Sequence, residues 1–258
     1  MTATLADPTP RTAALDRPTA MRLAETEFHR YLDVLRGLTP QQWAAPTECP
    51  GWDVRAVAGH SLGEAEMSAS VRENMRQLKL VKKRGGPFID AMTSLQVEEH
   101  AHLTTSELVA RFEKIAPKAV RSRARTPGFV RHLSPRDLSF PINGRTERWR
   151  LGFLIDVIMT RDPWMHRVDI CRATGTPLAL TADHDGVLVD DVVREWAGRH
   201  GRPCRLHLTG PAGGEWAFGS DGSRLELDAV EFCRVVSGRA ADLPTDDPAG
   251  LLTTEVPF

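Results

Sequence analysis

The apolar pattern of the chain changes period once, between Gly175 and Thr181, and that change sets what it can fold into. Ahead of it, apolar residues recur at the three- and four-residue spacing of amphipathic helices. Behind it, short alternating stretches are separated by glycine-rich turns, and two helical segments flank them. At 258 residues the chain can bury a full core and hold one large domain or two modest ones. The expectation is a helical bundle over 19–175 followed by a small α/β domain over 176–258. Residues 1–18, rich in Thr, Ala and Pro and lacking the apolar core of a signal peptide, read as a disordered lead-in.

Within the helical part, Met21, Leu23, Ala24, Phe28, Tyr31, Leu32 and Leu35 mark a first helix closed by Gly37 and Pro40. Pro50-Gly51 makes a turn, and Asp53 is a good N-cap for a second helix from Val54 to about Lys79. The basic run from Lys79 to Arg84 lacks the spacing of a phosphate loop and reads as a solvated turn. Residues 88–102 fit either helix or loop; His100 and His102 diverge on a helix and read as surface. Thr104 or Thr105 starts a third helix through Leu108, Phe112, Ile115 and Val120. A long connection from Pro127 to Arg148 leads to a fourth helix, about Trp149 to Thr174, which Pro163 should kink. Beyond Pro177, Asp183 to His200 reads as helix, 205–209, 215–218 and 224–227 as strands, and Ala229 to Val236 as a short helix.

The formal net charge of -1 gives no electrostatic case for nucleic acid, and no apolar run approaches the ~20 residues of a membrane span. Cys49, Cys171, Cys204 and Cys233 are scattered without a CxxC pair, which argues against a sulfur-rich zinc site and a secreted disulfide scaffold. A cytoplasmic chain with reduced thiols is expected. The chemistry concentrates at Asp162 and His166, four residues apart and therefore on one helix face, where they form half of a zinc-type site. His60 stands on another helix, about two turns in from a well-marked start. Glu64, one turn further, reads as a base or outer ligand. Asp169, on the Asp162/His166 face, reads as orienting an imidazole or pairing with an arginine. Trp52 and Trp164 read as pocket walls or as packed indoles. Nothing near Cys49 in sequence favours its thiolate.

Three stretches together carry a family resemblance. The first is Trp43 with Pro46-Thr47-Glu48-Cys49-Pro50-Gly51-Trp52-Asp53-Val54-Arg55 and Ala58-Gly59-His60. The second is Arg161-Asp162-Pro163-Trp164-Met165-His166-Arg167-Val168-Asp169-Ile170. The third combines Thr209-Gly210-Pro211-Ala212-Gly213-Gly214, Trp216, Ser237-Gly238-Arg239 and Glu255-Val256-Pro257-Phe258. The combination resembles the actinobacterial maleylpyruvate isomerase family of mycothiol-dependent enzymes, part of the DinB-like metalloenzyme superfamily. The resemblance implies a DinB-like four-helix bundle with a small α/β C-terminal domain. It also implies a divalent metal, usually zinc, on His60, Asp162 and His166. The best-known isomerase has Glu where this chain has Asp162, which weakens maleylpyruvate as the substrate but leaves a carboxylate ligand in place. Arg239, in the matching Ser-Gly-Arg, is implied as an anion clamp, with Trp52 and Trp164 beside the thiol or substrate. The implied reaction adds the metal-activated thiolate of mycothiol to an electrophilic small molecule, ending in S-transfer or cis–trans isomerisation. Two rivals stand beside it: hydrolysis by metal-bound water with Glu64 as base, and a non-catalytic small-molecule-binding bundle. The expected partners are small molecules, not nucleic acid or membrane, and the chain is expected as a monomer or homodimer.

Overall fold

Five helices of the first two-thirds start where a side chain accepts from an unpaired backbone N–H. The computed structural model describes residues 9–239, 247 and 249–258. α1 (Arg17–Gly37) is capped by Asp16, α2 (Pro40–Trp43) by Thr39, and α3 (Val54–Ala69) by Asp53, which accepts from the Ala56 N–H at 2.8 Å. The helix expected to continue to Lys79 stops earlier. Ser70 adopts an extended conformation and its hydroxyl caps a separate helix, α4 (Val71–Arg84). α5 (Phe88–His100) resolves the ambiguous stretch as helix, and α6 (Thr105–Arg125) begins with a Thr104/Glu107 capping box. His100 corrects the surface reading: it is buried, with Nδ1 on the Gln96 carbonyl at 2.6 Å and Nε2 beside Glu66.

The long connection is ordered as α7 (Gly128–Arg131) and an antiparallel hairpin of β1 (Ser139–Ile142) and β2 (Arg145–Arg148). Asn143 and Gly144 at its tip both have positive φ, the requirement of a tight two-residue hairpin turn. α8 (Leu151–Phe153), a π-helical turn at Leu154–Ile158 and α9 (Met159–Thr174) then form one continuous rod. Its defects are mended by one arginine. The π turn frees the Ile155 carbonyl, and Pro163 has no N–H to offer the Met159 carbonyl four residues back. Arg123 of α6 donates to both, at 2.8 Å each, and to the Thr160 hydroxyl at 2.6 Å. The helix therefore continues through Pro163, and Asp162 and His166 keep one face.

After α9 come α10 (Asp185–His200), β3 (Cys204–Thr209), β4 (Gly214–Phe218), β5 (Ser223–Asp228) and α11 (Ala229–Val236), with a 3₁₀ turn at Leu251–Thr253. The sheet order is β4-β3-β5; β3 runs antiparallel to β4 and parallel to β5. The crossover between β3 and β5 is β4 itself, a pairing that strand periodicity alone does not specify.

α1, α3, α6 and α9 pack about Phe28, Tyr31, Leu62, Phe112 and Ile170. The α/β part does not own a separate core: Leu206, Leu225, Val192, Trp196 and Phe232 are continuous with Leu23 of α1 and Trp164, Met165 and Val168 of α9. A buried ionic clasp crosses the same seam. Glu27 accepts from Arg167 at 2.7 Å and His184 at 2.8 Å, and Arg167 also reaches Asp185 at 2.8 Å. The Gly175–Thr181 segment is tied down by Arg167 on the Ala179 carbonyl and Arg30 on the Thr181 hydroxyl. Residues 1–8 of the expected lead-in lie outside the described residues. From Arg11 onward it is bonded to the body, Arg11 pairing with Glu147 at 2.7 and 2.8 Å.

Arg123→Met tests the mending role: it removes three hydrogen bonds, two of them buried, and leaves two carbonyls without this donor. Denaturant unfolding should show a loss of more than about 2 kcal/mol. A change within ~0.5 kcal/mol, the range of an ordinary surface substitution, would contradict it.

Candidate functional site

α3 brings His60, and α9 brings Asp162 and His166, to one point. His60 Nε2 lies 3.4 Å from one Asp162 oxygen and His166 Nε2 lies 3.5 Å from the other. The donor atoms of all three lie within 4.8 Å of one another. Asp162 Oδ2 is buried and accepts no hydrogen bond, as is Oε2 of the neighbouring Glu64. Buried acceptors without donors are costly, so this pair calls for a cation or a proton between them.

Both imidazoles are turned so that Nε2 faces Asp162, and the cause lies in what holds Nδ1. For His60 it is a relay whose direction is forced from its far end. The Glu73 carboxylate and the Gly63 carbonyl can only accept, so Gln77 points its amide nitrogen at them, at 3.0 and 3.1 Å. The Gln77 oxygen then accepts from the Gln96 nitrogen at 2.9 Å, leaving the Gln96 oxygen to accept from His60 Nδ1–H at 2.7 Å. For His166 the acceptor is Asp169, 3.0 Å from Nδ1, and Asp169 is itself held by Arg239 Nε at 3.0 and 3.1 Å. Asp169 thus takes both roles weighed for it, orienting an imidazole and pairing with an arginine.

Glycine makes the His60 relay possible. A Cβ at Gly63 would stand 2.6 Å from Cγ of Gln96, and one at Gly59 would stand 3.3 Å from Cβ of His100. Only bare backbone at these two positions lets α5 approach α3 closely enough for Gln96 to reach the imidazole. Gln96 was not legible as a site residue, because its stretch fitted helix or loop. The signal was there in part: Gly59 and Gly63, four apart and bracketing His60, mark a face that a neighbouring helix crosses closely.

The centre opens on two sides. One cleft, about 610 Å³, is polar and includes Glu48, Cys49, Trp52 and Arg239 together with His60, Asp162 and His166. The other, about 400 Å³, is largely apolar and shares His60, Asp162 and Glu64 with the centre. Trp52 fits the pocket-wall expectation in position, its ring 5.4 Å from His60 and 6.4 Å from His166. Trp164 does not: it is fully buried in the core shared with the α/β part, its indole N–H donating to Asp185 at 2.9 Å. Its side chain points away from the Asp162/His166 face, so it packs rather than binds. Cys49 lies in the polar cleft, its sulfur 3.4 Å from Asp169 and 3.8 Å from His166 Nδ1. Arg234 and Arg172 anchor the adjacent Glu48, fixing this turn to α11 and α9. Another buried cluster, Glu27, His184 and Asp185, has metal-like spacing but already holds the Arg167 guanidinium.

Burial alone would raise the Asp162 carboxyl, but the His166 and His60 imidazoles hold it well below its usual 3.8. Burial opposes charge on His166 too, yet Asp162 carries it well above 6.5. Burial, then the Asp162 charge, push Glu64 well above 4.5, so of the two carboxyls Glu64 holds a proton more tightly than Asp162.

Two imidazole nitrogens and a carboxylate, oriented by outer hydrogen bonds and reachable from two clefts, define an enzyme-like centre in a mostly helical protein. Comparison with known proteins agrees with that class. A family model described as the mycothiol maleylpyruvate isomerase N-terminal domain matches residues 24–171, more than half of the chain. The chain belongs to this family of enzymes. Two solved structures share its fold. The crystal structure of the mycothiol-dependent maleylpyruvate isomerase superposes with a TM-score of 0.58 at 16% identity, covering 96% of this chain and 98% of that one. A histidine-to-alanine mutant of that isomerase gives 0.57 at 15% identity with the same coverage. No curated protein sequence matches.

The charge pattern predicts a pH window for protein stripped of metal. His166, raised, contributes stability in full below about 6.5 and loses it as pH climbs through its folded value. Asp162, depressed, contributes above about 3.8 and loses its share as pH falls. The Tm difference between stripped wild type and Asp162→Asn should peak between those values and shrink on both sides. A difference that is flat with pH would contradict the pairing.

Proposed function

We propose that this protein is a zinc-dependent enzyme that uses mycothiol to attack an electrophilic small molecule. The observation that carries the reading is the convergence of His60 Nε2, His166 Nε2 and Asp162 around a buried carboxylate oxygen with no donor. Two nitrogens and a carboxylate suit zinc, and three protein ligands leave a coordination position open, as in catalytic sites. Asp162, one methylene shorter than the Glu of the best-known isomerase, would still offer a carboxylate oxygen to a metal held with His60 and His166. Zinc held there would keep a thiol deprotonated at neutral pH.

This chain's residues supply the rest. Gln96 and Asp169 hold the imidazoles in the ligating tautomer. The polar cleft receives mycothiol, with Trp52 as a flat wall and Arg239 presenting a guanidinium to an anionic group. The thiolate sulfur then donates its electron pair to the electrophilic carbon. With an activated alkene, the π pair moves to the activating oxygen, the new single bond rotates, and return of the pair expels the thiolate, leaving the isomer. With a leaving group, that group departs with its pair and the product is the thioether. Glu64, whose hold on a proton is raised by burial and by the Asp162 charge, would be the acid for a developing anion. In this reading α1, α3, α6 and α9 form a DinB-like bundle, and four free cysteines suit the reducing cytoplasm.

Purified protein should carry about one zinc-like ion per chain, and His60→Ala, Asp162→Ala and His166→Ala should each deplete it. Substoichiometric metal in well-folded wild type would support a non-catalytic binding module instead. Retained metal in Asp162→Ala would transfer the ligand role to Glu64.

A second reading, hydrolysis by activated water, is favoured by one observation: the buried, unpartnered Glu64 oxygen beside Asp162. Cobalt-substituted protein separates the two. Mycothiol should produce sulfur-to-metal charge-transfer absorption. No band, with turnover that persists without thiol and is lost in Glu64→Ala at full metal content, establishes hydrolysis.

A further inference from the structure

The two clefts meet at the centre but differ in chemistry. On the polar side stand Arg239, Glu48 and Cys49. On the other, Met67 of α3, Phe88 and Met92 of α5, Leu138 just before the hairpin, Phe140 of β1 and Leu154 of the π turn face a common space of about 400 Å³. No Arg or Lys is among the described residues of that wall. Its carboxyl groups outside the ligand set are Glu64 and Asp137. Away from the ion that His60, Asp162 and His166 would hold, a carboxylate entering it would shed water, find no cation along the wall and meet the Asp137 carboxyl, whereas a hydrocarbon would gain from leaving water.

We infer that the apolar cleft seats the electrophile and that this substrate is neutral and mostly apolar, not a carboxylic acid. The inference rests on the reading of His60, Asp162 and His166 as the reaction centre. His60 and Asp162 line both clefts, so a group in the apolar cleft and a thiol in the polar cleft reach one point. The volume lies in the range of small-molecule sites. Beside Met67 of α3 and Met159 of α9, the wall is built by elements outside the α1, α3, α6 and α9 core: α5, the β1–β2 hairpin and the π turn. The same centre can thus serve a different electrophile by changing these walls.

The test uses calorimetric binding of two unreactive probes with one carbon skeleton, phenylbutanol and phenylbutyrate, to the metal-containing protein at neutral pH. The alcohol should bind roughly tenfold or more tightly than the carboxylate. Phe140→Arg and Phe88→Arg, both at half-buried positions, should each place a cation in the wall. Each should weaken the alcohol and strengthen the carboxylate, with metal content and circular dichroism unchanged. Carboxylate binding as tight as the alcohol in wild type, or alcohol affinity unmoved in both variants, overturns the inference. Because binding needs no thiol, the cleft assignment survives loss of the mycothiol mechanism, and a failed probe test leaves the mechanism intact.

Discussion

A buried carboxylate oxygen without a hydrogen-bond donor is the constraint on which this architecture depends. The Asp162 carboxylate is placed between two imidazoles, His60 Nε2 at ion-pair distance from Oδ2 and His166 Nε2 from Oδ1, and Oδ2 accepts no hydrogen bond in the described structure. Keeping it there requires a helix that runs through Pro163, and that helix exists because Arg123 supplies the donors that the proline and the π turn withhold. It also requires two rings with fixed tautomers, and each is fixed from outside: by a carboxylate under an arginine at His166, and by a two-glutamine relay at His60. The site is thus a consequence of second-neighbour hydrogen bonding as much as of the three donor residues.

Much of this was legible in the sequence. The caps at Asp53 and Thr104, the stop at Gly175 and the strands after Pro203 follow from local rules, because caps and alternation are short-range physics. The Asp162/His166 pair follows from helical spacing, and His60 from its place on a marked helix. The rest depends on contacts between segments far apart in the chain. Gln96 becomes a site residue only because Gly59 and Gly63 let α5 close on α3. Trp164 has the composition of a pocket residue but faces the core that α9 shares with α10, a matter of packing azimuth that spacing does not resolve. The break at Ser70 and the hairpin tip at Asn143-Gly144 had local signals, yet the apolar periodicity on either side masked the first, and the long polar connection obscured the strands around the second.

The family supplies the reaction class, while the walls around the centre distinguish this chain. Solved relatives at 15–16% identity share the fold over nearly their whole length. At that divergence the centre can persist while the surrounding elements are replaced. Here an apolar wall without Arg or Lys and a polar wall bearing Arg239 meet at one centre, an asymmetry that suits two dissimilar reactants.

X-ray absorption at the metal edge of the purified protein tests the central claim most directly. The account predicts a first shell of light atoms at about 2.0–2.2 Å with the multiple-scattering pattern of two imidazoles, and one sulfur at about 2.3 Å appearing only after mycothiol is added. A sulfur already present in the protein alone would place Cys49 on the metal. A first shell without imidazole scattering would remove His60 and His166 from it, and either result would contradict the account.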